Sequence, residues 1–302
     1  MMDPLFGIWQ FFVVWALGLV LIRWIRLELP TGYRLAFAFG LGEMTVSYFL
    51  FLLGMVGGLR FSILVPLAVL ITLGGFPRLI REMRHAGTAA WPYLRQSPWL
   101  SLGVAGIFGL YALSACTPER EVDSVWYHLG VPLYYITHGG SIQLVPFNMP
   151  SHYPMNLHLH YCFSLLVGNE VTAKFFILFH FLPIFLLLWA VIARYAGARW
   201  GLWGILLYCC CMHFRIPVMA NVERAVYFYV FLSTALLWMA LEKKSWRLLL
   251  WASVFCGMAM GTKFNGHLFG YAAQWLLLAI AIFGLRAMPV GEGMWKWIAH
   301  TL

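Results

Sequence analysis

The chain has 302 residues, 62% of them hydrophobic and 10% charged, with a mean hydropathy of +0.80. No soluble domain of this length hides that much apolar surface, so the composition excludes a water-soluble globule and makes the bilayer the solvent. The formal charge of +9 would suit a nucleic-acid partner, but the cations are spread along the chain between apolar runs, which removes that reading.

A helix needs about 20 apolar residues to cross the hydrocarbon core. On that criterion nine spans are expected, at 5–22, 35–56, 61–76, 98–116, 171–193, 200–214, 225–241, 247–261 and 267–285; the third, sixth and eighth are short. All should be helical, because lipid offers no water to an open backbone. The first span has no basic n-region and no small-residue cleavage site, so it does not read as a cleaved signal. Within the first three spans the one acid is Glu43, which follows Gly40 and Gly42. An intramembrane acid is a functional candidate by default; here helix packing or a hydrogen bond to a neighbour is the expectation. Residues 77–96 carry Arg78, Arg81, Arg84 and Arg95 with Pro77 and Pro92, and are expected to run as a linker along the cytoplasmic surface.

After the fourth span comes EREVDSVWYHLGVPLYYITHGGSIQLVPFNMPSHYPMNLHLHY, Glu119–Tyr161, where three of the eleven acids fall within five residues. Val125, Trp126, Leu129 and Leu133 lie at helical spacing, predicting a short amphipathic helix over 124–135 in the interface plane. His138-Gly139-Gly140 should end it, and Pro146, Pro150 and Pro154 should keep the chain irregular until Leu157. Further on, Cys209, Cys210 and Cys211 point in different directions on a helix and read as buried thiols. Cys116 and Cys162 share a face, yet spacing alone does not pair them.

Cations cluster in alternate connections: Arg23, Arg26 and Arg34; residues 78–95; Arg194 and Arg199; Lys243, Lys244 and Arg247; Arg286 and Lys296. The positive-inside rule then puts the N-terminus and the Glu119–Glu170 loop outside the cytoplasm. The acids 119, 121 and 123, the histidines 128, 152, 158 and 160, Arg215, Glu223, Arg224 and Lys263 would all meet that face. Asp123 could accept a proton from a hydroxyl or could cap the helix after it. Arg224 and Lys263 could neutralise a phosphate or could snorkel to headgroups. Glu223 could be a local charge partner of Arg224. His128 and His152 could bond a polar headgroup or the loop's own backbone. His158 and His160 lie about 200° apart on a helix, a poor chelating pair, and no HExxH or CxxC spacing suggests a metal.

Together VDSVWYHLGVPLYYITHG, PFNMPSHYPMNLHLHY, NVERAVYFYVF and GMAMGTKFNG resemble the GT-C membrane glycosyltransferases, in particular the protein mannosyltransferase and aminoarabinose transferase group, over about residues 98–285. Ser124 and Glu223 stand where many members have Glu and Asp. The resemblance implies an all-α polytopic bundle with about nine spans, in which 1–96 adds N-terminal helices and a basic linker. Residues 97–302 would be the catalytic module, truncated at its C-terminus relative to the family. It also implies inverting transfer of a sugar from a polyprenyl-phosphate donor to an acceptor hydroxyl, on the extracytoplasmic face of the plasma (inner) membrane. Asp123 would be the base, with His128, His152, Glu223, Arg224 and Lys263 contacting substrate. Lipid-linked donor and membrane lipids would be the partners, with no nucleic acid; no cofactor is assigned, and a divalent cation fits the chemistry. The alternatives are a transporter, which would need polar groups near mid-membrane, and a non-catalytic lipid-binding subunit.

Overall fold

The computed structural model describes residues 2–146, 155–212, 218–263, 266, 272 and 274–276, with the side chains of 211 and 212 left aside. Among these residues the regular structure is entirely helical. The helices are α1 (Asp3–Leu21), α2 (Thr31–Met55), α3 (Phe61–Gln96), α4 (Pro98–Ala115), α5 (Gly130–Thr137) and α6 (His158–Val167). They continue with α7 (Glu170–Leu178), α8 (Phe181–Tyr195), α9 (Gly201–Met212), α10 (Glu223–Lys243) and α11 (Trp246–Thr262).

Among the described residues six segments are long and apolar enough to cross a membrane: Asp3–Trp24, Thr31–Met55, Phe61–Gln96, Pro98–Ala115, Glu170–Tyr195 and Glu223–Lys243. The expected sixth and eighth spans appear as α9 and α11, with 12 and 17 residues, below that length. The ninth, 267–285, lies largely outside the described residues.

Two local departures from the expected elements have a proline at their centre. Residues 77–96 are not a separate surface linker: α3 runs on through Pro66, Pro77 and Pro92 for 36 residues. A proline inside a helix removes one hydrogen bond and bends the axis, and flanking turns can carry the helix past it. At about 54 Å the helix outruns a core of about 30 Å, so its arginine-rich half projects beyond the apolar zone. Arg34 at the start of α2 donates to buried Glu82 of that half at 2.5 Å. Conversely, the expected span 171–193 is broken at Phe179–His180 into α7 and α8. Pro183 has no N–H for the Phe179 carbonyl four residues back, and the helix loosens there.

The contacts divide the chain into two compact units, Met1–Arg224 and Ala225–Leu302. In the first unit α1 is central, packing against α2, α3, α6 and α7. Small residues make this possible. A Cβ on Gly18 would fall 1.6 Å from the Ala38 carbonyl oxygen, and one on Gly42 2.0 Å from that of Val14. Close backbone approach of this kind is how apolar helices gain contact without a hydrophobic driving force. In the second unit, Tyr229 of α10 stacks on Phe255 of α11 at 6.0 Å, and Gln274 donates to Ser233.

The loop after α4 follows expectation in outline. A π-helical turn, Ser124–Leu129, leads directly into α5, which ends at Thr137. Gly139 and Gly140 take positive φ of 82° and 75°, which an L side chain resists. The reversal docks on the α2–α3 turn, Leu59 N donating to Gly140 O and Ile142 N to Gly54 O.

Gly42→Ala is expected to lower stability by about 1–3 kcal/mol through overpacking. Gly74→Ala, where a Cβ meets nothing within 4 Å, is expected not to lower it. Unfolding in mixed micelles titrated with denaturing detergent measures both.

Candidate functional site

The three acids of the loop have three different roles. Glu119 Oε1 accepts from the N–H groups of Arg120 (3.0 Å) and Glu121 (3.1 Å), and its Oε2 accepts from Ala220 N–H at 2.7 Å. Glu121 Oε2 accepts from Ser124 N–H at 2.5 Å and so caps the π turn. Asp123 occupies the N-cap position but makes no side-chain cap bond; it is exposed, and its carboxylate has no hydrogen bond or ion pair among the described residues. Of the two roles open to it in the sequence, capping has gone to Glu121.

Glu119 also organises the approach to α10. Ala220 is held by it, Val218 N–H donates to Ser114 Oγ at 3.0 Å, and Tyr161 Oη donates to the Asn221 carbonyl at 2.7 Å. A cleft of about 480 Å³ opens between residues 117–121, Val218, Met219 and Lys174. Lys174 is buried in α7 and donates to the Thr117 carbonyl. Asp123 and Arg224 are not in the wall of this cleft.

Arg224, 4% exposed, lies at the first turn of α10 with its Cζ 5.3 Å over the Phe181 ring. Tyr111 stacks on the same ring with 5.4 Å between centroids, and Tyr208 meets it edge-on. Tyr161, Tyr208, Glu223 and Tyr111 are close enough to act on the guanidinium electrostatically. Yet Nε and Nη1 are buried with no hydrogen-bond acceptor among the described residues. The aromatic face supplies cation–π attraction, while two desolvated donors are left unspent, a costly state unless an acceptor arrives.

Among the described residues, histidines 128, 158 and 160 make no contact with the Arg224 guanidinium. His128 Nδ1 and His158 Nε2 are 2.6 Å apart with rings 10° from parallel, so one donates to the other in a buried pair. His152 and Arg215 lie outside the described residues. His160 turns away into the bundle. Lys263, half-buried, follows the last residue of α11 and belongs to the second unit. Cys116 and Cys162 are both free, one exposed and one buried. Among the described residues no three His, Cys, Asp or Glu side chains form a metal-holding group.

A second polar cluster was hidden in the sequence. Glu43 of α2 does have a hydrogen-bonded neighbour: its Oε1 lies 2.6 Å from His180 Nε2, both residues fully buried. His180 Nδ1 faces the Phe176 carbonyl at 3.1 Å, which can only accept, so Nδ1 carries a proton. The Glu43 contact then holds one shared proton, as acid and imidazole or as carboxylate and imidazolium. Beside it, His160 Nε2 sits 3.0 Å from Ser47 Oγ and 3.3 Å from the Glu43 carbonyl. Gln10 donates to the His160 carbonyl at 2.8 Å and accepts from Ser164 Oγ at 2.7 Å. His180 in an apolar run was the available signal, since a histidine at mid-span counts as ionisable although it adds nothing to the formal charge.

No family model, curated protein or solved structure matches this chain.

Glu119→Ala, which strips three backbone N–H groups of their acceptor, is expected to cost about 1–3 kcal/mol, whereas Asp123→Asn should leave the unfolding midpoint unchanged. For the buried pair, His180→Ala alone is expected to cost about 3–5 kcal/mol, and the double replacement with Glu43→Ala less than the sum of the singles. A double-mutant cycle on detergent-solubilised protein reads both.

Proposed function

We propose that the protein is an integral-membrane glycosyltransferase of the GT-C type, moving a sugar from a polyprenyl-phosphate donor to an acceptor hydroxyl on the extracytoplasmic face of the cell membrane. The observation that carries this reading is Arg224, a buried guanidinium in an aromatic pocket with two donor groups unspent. Guanidinium donors suit phosphate oxygens, to which they bond in pairs. A lipid phosphate is an anionic group that a membrane supplies.

In the proposed reaction the Asp123 carboxylate removes the proton of the acceptor hydroxyl. The oxygen attacks the anomeric carbon from the face opposite the phosphate, and the C–O bond to phosphate breaks. Its electron pair leaves with the lipid phosphate, and the anomeric configuration inverts. Because the leaving group is an anion, Arg224 does most for the rate by holding that charge. Asp123 is supported as base because both oxygens of Glu119 and one of Glu121 are committed to backbone amides, while neither of its own is bonded among the described residues. Lys263 is assigned to the donor phosphate by resemblance alone, as are His152 and Glu223 to substrate. His128, already bonded to His158, is left with a positioning role.

A second reading, proton-coupled transport, draws on the buried Glu43–His180 contact. A transporter needs such a group near mid-membrane; a transferase does not.

Membranes carrying wild type, Asp123→Asn and Arg224→Gln, assayed with radiolabelled polyprenyl-phosphate sugars, separate the readings. Asp123→Asn is expected to slow transfer by about 10²–10⁴-fold and Arg224→Gln by about 10²–10³-fold, with insertion unchanged. Equal turnover in the Asp123 variant removes the base assignment. No transfer by the wild type, together with pH-driven uptake lost in Glu43→Gln, favours the transporter.

A further inference from the structure

A second cleft in the first unit, of about 610 Å³, lies between the first turn of α2, the arginine-rich half of α3, α8 and α9. None of the residues assigned to sugar transfer lines it. Small residues leave the space: Ala86, Ala89 and Ala90 of α3, with Ala190 and Ala193 of α8. Its volume falls within the roughly 300–1,000 Å³ of pockets that take one small ligand. The α3 wall belongs to the half that outruns the hydrocarbon, whereas the α8 wall belongs to the apolar segment Glu170–Tyr195. The cleft therefore straddles the edge of the apolar zone.

The charge of this cleft has one sign. Arg194, exposed and next to the last residue of α8, is the one charged residue in the wall, and no acid lines the cleft among the described residues. Arg34 and Glu82, neighbours of the wall residues Tyr33 and Met83, neutralise each other at 2.5 Å. The first turn of α2 adds the partial positive charge of a helix N-terminus.

The surroundings have the composition of a headgroup layer. Tyr93 meets Trp189 edge-on in the wall, 5.9 Å between centroids, and so ties the end of α3 to α8. Around them Arg95 lies over Trp91 at 5.9 Å, Arg194 over Tyr195 at 5.7 Å and Arg199 over Trp200 at 5.5 Å, and all three rings are exposed. Exposed Trp and Tyr beside arginine mark the membrane–water interface. On the orientation expected from the cation clusters this end meets the cytoplasmic leaflet, where anionic lipids reside. An extended peptide in the cleft would leave backbone groups unpaired against alkyl walls; an acyl chain has none. A zwitterionic headgroup would bring its own ammonium to Arg194, whereas an anionic one brings only the complementary charge.

We propose that this cleft binds one anionic phospholipid, with an acyl chain between α3 and α8 and the phosphate at Arg194. The site shares no residue with the proposed sugar transfer, so either claim can fail alone.

The test uses the full chain in phosphatidylcholine nanodiscs that carry a trace of phosphatidylglycerol or of phosphatidylcholine, each with the same diazirine-bearing acyl chain. After irradiation, labelled peptides are mapped by mass spectrometry. The peptides holding residues 83–93 and 182–194 are expected to take about fivefold more label from the phosphatidylglycerol probe, the preference that one arginine near a membrane surface confers. Arg194→Gln should abolish that preference and Arg194→Lys should keep it. Arg81→Gln, which alters an exposed arginine of α3 outside the wall, should leave it unchanged. Ala86→Phe and Ala90→Phe fill the cleft and should each remove label from both probes, provided the unfolding midpoint stays at the wild-type value. Arg194 is exposed, so its variants decide the matter even where both filled variants unfold. Equal labelling by the two probes overturns the proposal, as does a preference that survives Arg194→Gln or falls as far in Arg81→Gln. Undiminished label in a folded filled variant, or cleft peptides crosslinked to a second copy of the chain instead of to lipid, overturns it as well.

Discussion

An amide, carboxylate or imidazole inside an apolar slab finds its partner within the chain or forfeits several kcal/mol, because no water is there to substitute. That constraint governs the whole first unit. It makes the backbone helical, and it makes Glu43 seek His180 across 137 residues of sequence. The same constraint gives diagnostic weight to the few buried polar atoms that stay unspent, such as Arg224 Nε and Nη1 and His160 Nδ1.

Much of the architecture could be read from hydropathy alone, because a helix that must face lipid announces itself by length and composition. The end of α5 at His138-Gly139-Gly140 was readable for the same local reason, as positive φ selects glycine. What composition missed is the behaviour of prolines within apolar runs. Pro77 leaves α3 continuous whereas Pro183 parts α7 from α8, although a sequence window treats the two alike. Whether the flanking turns hold depends on neighbours: the Arg34–Glu82 pair ties down the far half of α3. At the other proline, His180 spends its ring on Phe176 O and Glu43 and stabilises the loosened turn.

The candidate site shows a similar division. Glu119–Asp123 stood out in the sequence because three of the eleven acids fall there. Which acid keeps its oxygens available did not follow, because the answer lies with Ala220, 101 residues away. Capping favours the residue next to a helix start, and Asp123 has that place, but Glu121 reaches forward to the Ser124 amide first. Likewise the 128/152/158/160 set looked like a polar surface group. Two of its members, His128 and His158, are instead spent on each other inside the protein, an outcome that spacing cannot distinguish from headgroup contact.

The buried clusters also bear on how the two functional readings relate. In the Glu43–His180 pair one proton is shared between Glu43 Oε1 and His180 Nε2. Arg224 is open, with a fixed charge that no protonation change can remove. A group that can resolve its burial by sharing a proton is compatible with a purely structural role, holding α2 against the α7–α8 break. A guanidinium has no such escape, and its donors retain the full cost of burial until an acceptor is supplied. The asymmetry therefore weights the anion-binding reading over the proton-coupled one, and it does so from the chemistry of two side chains, without appeal to resemblance.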